Sequence, residues 1–139
     1  MRDSVERIRT LTHDWDEDRF ERTYAPGKWP ARLVLTHLAQ TEMALGTRAR
    51  MALATPNYAS QNFDQEDWIV RESQTAGADA LAAFLALARM NLAFFEGLSA
   101  ADRATRLSHP EYGELTVEWI IHQMAGHHIN HLRQLEQIR

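Results

Sequence analysis

The chain alternates between stretches that carry an apolar residue every third or fourth position and stretches with no period at all. Val5, Ile8, Leu11 and Trp15 recur at helical spacing behind Asp3 and Glu6, which resemble a capping box, so a first helix is expected through about Arg22. The segment TYAPGKWP then breaks the chain with two prolines and a glycine, and Pro30 suits the first turn of a second helix reaching about Leu53. Leu33, Val34, Leu38, Thr41 and Ala44 mark the buried side of that helix. From Ala54 to Gly77 the text is polar and irregular, a long connection for a small domain, with a short helical turn expected around Glu66 to Arg71. A third helix, roughly Ala78 to Glu96, carries Leu81, Phe84, Leu85, Ala88, Leu92 and Phe95 on one stripe and stops at Gly97. After a second irregular link, Thr116 is expected to cap a last helix that continues to Arg139. No run of alternating β-branched residues is long enough to predict a strand. Four amphipathic helices, each with one apolar stripe, predict an all-α fold, a four-helix bundle, in a single domain over residues 1–139.

Composition narrows the chemistry. The 139 residues are 45% hydrophobic, enough for one compact core. Net charge is −4 with the signs interspersed, so no basic face is expected and nucleic acid is not an expected partner. With no cysteine there is no disulfide, thiolate ligand or thiol nucleophile, and any metal must be held by nitrogen and oxygen. The N-terminus MRDSVERIRT has no apolar signal core, and the run Ala80 to Ala88 falls short of the ~20 residues that span a bilayer. A cytoplasmic protein that does not engage a membrane is the expectation.

Histidine is what disturbs the pattern. On the last helix Ile120, Met124, His127, His131, Leu135 and Ile138 follow one another at steps of four and three, a core-facing seam that includes two imidazoles. His128 falls about a quarter-turn off that seam and His122 further round, which assigns both to the rim or surface. On the second helix His37 stands one turn after Leu33. Burying an imidazole without a partner costs roughly 1–3 kcal/mol, so three entering one small core need a shared explanation, and a divalent metal supplies one. The levels agree if the two helices are antiparallel: His37 lies ~10 Å from the start of its helix, and His131 and His127 ~12–18 Å from the end of theirs. Three nitrogens on one side of a metal leave positions for water or substrate. The plain alternative is a set of core histidines bonded to backbone carbonyls and buried hydroxyls. Glu42, about a turn and a half past His37, is a candidate second-layer or general-base carboxylate, and Trp15, Trp29 and Trp119 read as core or helix-end anchors. Di-iron Glu-x-x-His pairs, an HExxH motif, a G-x-S-x-G elbow and phosphate-binding glycine loops are all absent from the text.

The strings GKWPARLVLTHLAQTE and HPEYGELTVEWIIHQMAGHHINHLRQLEQIR resemble the second and last helices of the DinB/YfiT-like superfamily. The most specific elements are His37-Leu38, the lead-in His109-Pro-x-x-Gly-x-Leu-Thr116 and the closing His127-x-x-x-His131-Leu-x-Gln134. The resemblance implies metal ligands at His37, His127 and His131, the same three the seam selects, with zinc or nickel as the metal. It also implies an up-down-down-up bundle whose link between helices two and three travels the length of the molecule, and a homodimer. Some relatives in such a family are transferases or isomerases that use a low-molecular-weight thiol such as mycothiol, bacillithiol or glutathione.

Three expectations follow. One is a metal-dependent enzyme acting on a small-molecule substrate, either a thiol transferase or a hydrolase. Another is a non-catalytic metal-binding or stress-related bundle, and the third a dimeric bundle with buried histidines and no metal.

Overall fold

The computed structural model describes residues 1–138; the expected end of the last helix at Arg139 lies outside them. In chain order the elements are α1 (Arg2–Thr12), α2 (Glu17–Phe20), α3 (Ala31–Ala54), α4 (Gln65–Arg71), α5 (Gly77–Glu96), α6 (Ala100–Arg103), β1 (Arg106–His109), β2 (Gly113–Thr116) and α7 (Val117–Leu135). Four of these, α1, α3, α5 and α7, form a four-helix bundle.

Residue pairings fix the direction of each helix. Thr36 and Ala39 border the same cleft as Ala80 and Ala83, Glu42 meets Asn91, and the Arg50 guanidinium lies 4.2 Å above the Phe94 ring. Both sets of numbers rise together, so α3 and α5 are parallel. His37 faces His131 while Ala49 packs with Val117, so α3 and α7 are antiparallel. Arg2 reaches Glu96 and Trp15 shares a cleft with Ala78, which makes α1 antiparallel to α5. Arg7 pairs with Glu136 while Met1 packs against the cluster that holds Val117 and Ile120, so α1 runs with α7. The order is up-down-down-up.

Parallel α3 and α5 require residues 55–76 to return along the bundle. They do so on the outside of α3. Ala59 bridges to Ser108 at one end, Phe63 stacks 6.5 Å from His37 midway, and Ser73 O accepts from Arg32 at the other end. The return path covers a face that α3 would otherwise show to water. This explains why α3 is buried almost all round from Val34 to Glu42, well beyond the single stripe its sequence suggested.

The expected first helix is interrupted. α1 ends at Thr12, and Asp16 starts a separate turn by accepting from Arg19 N–H at 2.8 Å. The Asp3–Glu6 capping box does not form; Met1 is the N-cap and Glu6 pairs with Arg9. Thr116 does cap α7, accepting from Trp119 N–H at 3.2 Å. The strands are a further departure. β1 and β2 pair as an antiparallel hairpin from Arg106↔Thr116 to His109↔Gly113, joined by Pro110, Glu111 and Tyr112 and closed by Gly113 at φ 73°. Its inward residues are Leu107, His109 and Leu115 rather than β-branched ones, so only the turn chemistry announces it.

The apolar interior is divided. One cluster centres on Ile8, Leu35, Phe84 and Leu135, the other on Ala49, Leu107, Ile120 and Met124. Polar side chains occupy the level near their junction: Gln40, Glu42, Asn91 and His128 are each no more than 1% exposed. α5 is long and apolar enough to cross a membrane, yet its stripe of Leu81, Phe84, Ala88 and Phe95 is buried within the bundle.

Candidate metal centre

His37 projects from the second turn of α3, and His127 and His131 from adjacent turns of α7, one above the other as i, i+4 positions on a helix must be. Their Nε2 atoms converge. His37 Nε2 lies 2.8 Å from His127 Nε2, and His131 Nε2 lies 3.1 Å from the same atom. The three rings meet edge to face, with centroids 4.4–5.1 Å apart. His37 and His131 are buried and His127 half-buried.

Burial dictates the protonation state. Loss of solvation, with His131 nearby, pushes the His37 pKa from 6.5 to about 4. Loss of solvation, with the His131, His37 and His128 rings adding to it, pushes His127 to about 2. His131 is lowered by burial too, opposed by its hydrogen bond to Gln134. All three rings are therefore neutral near pH 7, each with a lone pair to offer.

Gln134 selects the tautomer of His131. Its Oε1 accepts from His131 Nδ1–H at 2.7 Å, which leaves the lone pair on Nε2, the atom that faces the other two rings. A proton on His127 Nε2 could serve only one of its two neighbours well, whereas a cation would accept all three lone pairs at once. At zinc–nitrogen distances of ~2.0–2.1 Å, tetrahedral ligand nitrogens stand about 3.3 Å apart, close to the separations seen here. The donor set thus fits a borderline divalent ion. The Nδ1 atoms of His37 and His127 have no protein partner among the described residues, so Gln134 alone orients a ring of the trio by hydrogen bond.

Two cavities meet at the trio. One, of about 460 Å³, opens past Tyr24, Trp29 and Asn130 to His131. The other, of about 220 Å³, runs from His37 and His127 past Phe63 and Trp119 to Arg48 and His109. Trp29 packs its ring 5.4 Å from His37 and Phe63 holds Trp68 edge-on at 4.7 Å. The expected tryptophan anchors are borne out: Trp15 is a buried core residue, and Trp29 and Trp119 pack at the starts of α3 and α7 against the two core clusters, where they also line the cavities. The return segment supplies Phe63, a wall residue that no helical period could have flagged.

One expectation needs correction. His128 is 1% exposed, not on the rim: α3 and α5 pack against α7 far enough round that a quarter-turn off the seam is still interior. Its Nε2–H donates to Glu42 Oε1 at 2.5 Å and its ring meets Phe84 edge-on. Glu42, for its part, does not touch the trio. Its second oxygen accepts from Asn91 Nδ2 at 2.7 Å, Asn91 Oδ1 accepts from Arg50 at 2.7 Å, and the carboxylate is sealed from solvent, so its hydrogen bonds go to His128 and Asn91 and not to a ring of the trio. The signal for this pairing was in the text: Glu42 is the only charged residue between Arg32 and Arg48.

Comparison with known proteins places these features in a lineage. A protein of Oceanobacillus iheyensis named "Putative metal-dependent hydrolase" is 23% identical over 132 residues, spanning 94% of this chain and 77% of that one. A Bacillus licheniformis protein of the same description is 26% identical over 135 residues, spanning 91% and 75%. The solved structure of YfiT from Bacillus subtilis, described as "a probable metal-dependent hydrolase with an unusual four-helix bundle topology", superposes with a TM-score of 0.79 at 22% identity, covering 97% of this chain and 81% of that one. A family model for the DinB superfamily matches residues 1–135, and the chain belongs to that superfamily.

Proposed function

We propose that this protein is a metal-dependent hydrolase of small molecules, with His37, His127 and His131 holding a divalent ion, zinc or nickel. The observation that carries the reading is the convergence of three neutral imidazole Nε2 atoms, at 2.8 and 3.1 Å, where two solvent-connected cavities meet. A purely structural ion is normally closed off by four protein ligands, whereas a catalytic one keeps a position free for water or substrate. Among the described residues no carboxylate joins the trio to close it. The names of the relatives support hydrolysis over thiol transfer.

When bound, a divalent ion at such a site supplies a water of lowered pKa and polarises a carbonyl oxygen. The chain's own residues do the rest. Gln134 holds the His131 ring in register through Nδ1, and burial keeps all three rings unprotonated and ready to bind. Trp29 and Phe63 shield the centre from bulk water, and the cavity past Trp119 receives the substrate. In the overall reaction water oxygen bonds to the acyl carbon, the bond to the leaving nitrogen or oxygen breaks, and the leaving group takes up a proton.

Elemental analysis of untagged protein, followed by turnover of an ester and amide panel, tests this. The expected result is about one divalent ion per chain and hydrolysis that chelation abolishes, with His131→Ala losing both ion and activity. Protein that retains a full complement of metal after His131→Ala, or that binds metal yet hydrolyses nothing while transferring a thiol, overturns the reading.

A further inference from the structure

The smaller cavity, which His37 and His127 line, is lined as well by a second group of polar side chains. Arg48 lies 11 residues after His37 on α3, roughly 16 Å along the axis, and its long side chain leans back toward the helix start. His109 enters from β1, Tyr112 from the hairpin turn and Trp119 from the first turn of α7.

Arg48 is half-buried and, among the described residues, makes no ion pair; its hydrogen bond goes to the Gln61 carbonyl at 2.5 Å. Glu111 lines the same wall, but its Oε1 is taken by Asn62 Nδ2 at 3.1 Å. A guanidinium partly withdrawn from water, with Glu111 near it but not ion-paired to it, is costly, and burial depresses its pKa against the opposing pull of nearby groups, Glu111 among them. His109 contributes a second donor. Its Nδ1 accepts from the Glu111 backbone N–H at 3.2 Å, which places the ring proton on Nε2, an atom with no partner among the described residues. Burial and the neighbouring Arg48 hold that imidazole neutral, so it donates without adding charge. One cation and one neutral N–H, with Glu111 close by offsetting part of the field, suit a monoanion better than a dianion.

We propose that Arg48 and the Nε2–H of His109 form a subsite for a carboxylate, so that the substrate is a small carboxylate-bearing amide or ester whose reacting carbonyl reaches the three histidines. The planar fork of Arg48 matches a carboxylate, and the intervening wall of Phe63 and Trp119 takes an apolar middle. The inference rests on the hydrolase reading for the identity of the reacting end, but the subsite itself does not need the metal.

Titration of N-benzoylglycine and its uncharged amide, N-benzoylglycinamide, into chelator-treated and zinc-loaded protein separates the two ideas. Calorimetry would read affinity and the His109 ring proton resonances would read location. The carboxylate should bind in both preparations and shift the His109 signals. Arg48→Gln should weaken it on the order of ten- to a hundredfold, Arg48→Lys should recover part of that loss, and amide binding should be indifferent to both. Equal affinity for acid and amide, an Arg48→Gln variant that is folded by circular dichroism yet binds the acid as the parent does, or no detectable binding of the acid overturns the subsite. Failure to bind zinc with acid recognition intact would instead remove the hydrolase reading and leave the subsite standing.

Discussion

At the scale of single residues, the environment of His37 makes a measurable claim. In the unfolded chain this imidazole takes up its proton near pH 6.5; in the folded protein burial delays uptake until about pH 4. Between those values the unfolded state binds more protons, so the contribution is fully present above pH ~6.5 and is lost progressively as pH falls to about 4. Urea unfolding of chelator-treated protein across that range should show stability falling with acid, and His37→Gln should flatten the slope. Identical slopes for parent and variant would contradict the assigned burial. His128 carries the complementary lesson. A residue's angle on its own helix was readable, but whether that angle faces solvent depends on how far neighbouring segments wrap round, which a single helix cannot report.

At the scale of elements, the link among α3, α5 and α7 is a polar one. Glu42, Asn91 and His128 each come from a different helix and satisfy one another where the two apolar clusters adjoin. Gly46 makes room for this: a Cβ there would stand 2.5 Å from Asn91 Oδ1, an atom already held by Arg50. Glu42→Leu strands the His128 Nε2–H and leaves Asn91 Nδ2 only the residue-42 carbonyl, and should cost ~3–5 kcal/mol, while Gly46→Ala should cost ~1–3 kcal/mol through displacement of Asn91. Denaturant midpoints measure both, and a Gly46→Ala protein as stable as the parent would refute the close approach. Helical periodicity found the four bundle helices because an amphipathic stripe is a local property. It overlooked the β1–β2 hairpin, whose alternation rests on two leucines and a histidine, and it merged α1 with α2, since the Asp16 cap interrupts a spacing that continues through Trp15.

For the whole molecule, the up-down-down-up order matters because it sends residues 55–76 back over α3. That segment stacks Phe63 on His37 of the histidine trio, with Trp68 packed on Phe63, and carries Gln61 and Asn62 to Arg48 and Glu111. A metal held by His37 from α3 and by His127 and His131 from α7 would tie the two antiparallel helices together, so under the proposed reading metal binding should stabilise the entire domain. At zinc about a hundredfold above its dissociation constant the gain is ~2.7 kcal/mol, or roughly 8–12 °C in Tm for a chain of this size. Calorimetric scans should show that rise, reversal by chelator, and no response in His131→Ala. A Tm indifferent to saturating zinc would rule out coordination across the two helices.

The local features of this protein were already determined by its sequence: four helical periods, the Thr116 cap, and three imidazoles standing where apolar side chains belong. Each is set by residues within a few turns of one another, which is the range over which backbone hydrogen bonds and side-chain spacing act. Tertiary structure decided the rest. The meeting of Nε2 atoms 90 residues apart, the diversion of Glu42 to His128, and the presence of Arg48 and the hairpin's His109 in the lining of one cavity all arise from packing between segments. Those contacts depend on chain direction and on what covers each helix face, and neither is a property of any single stretch.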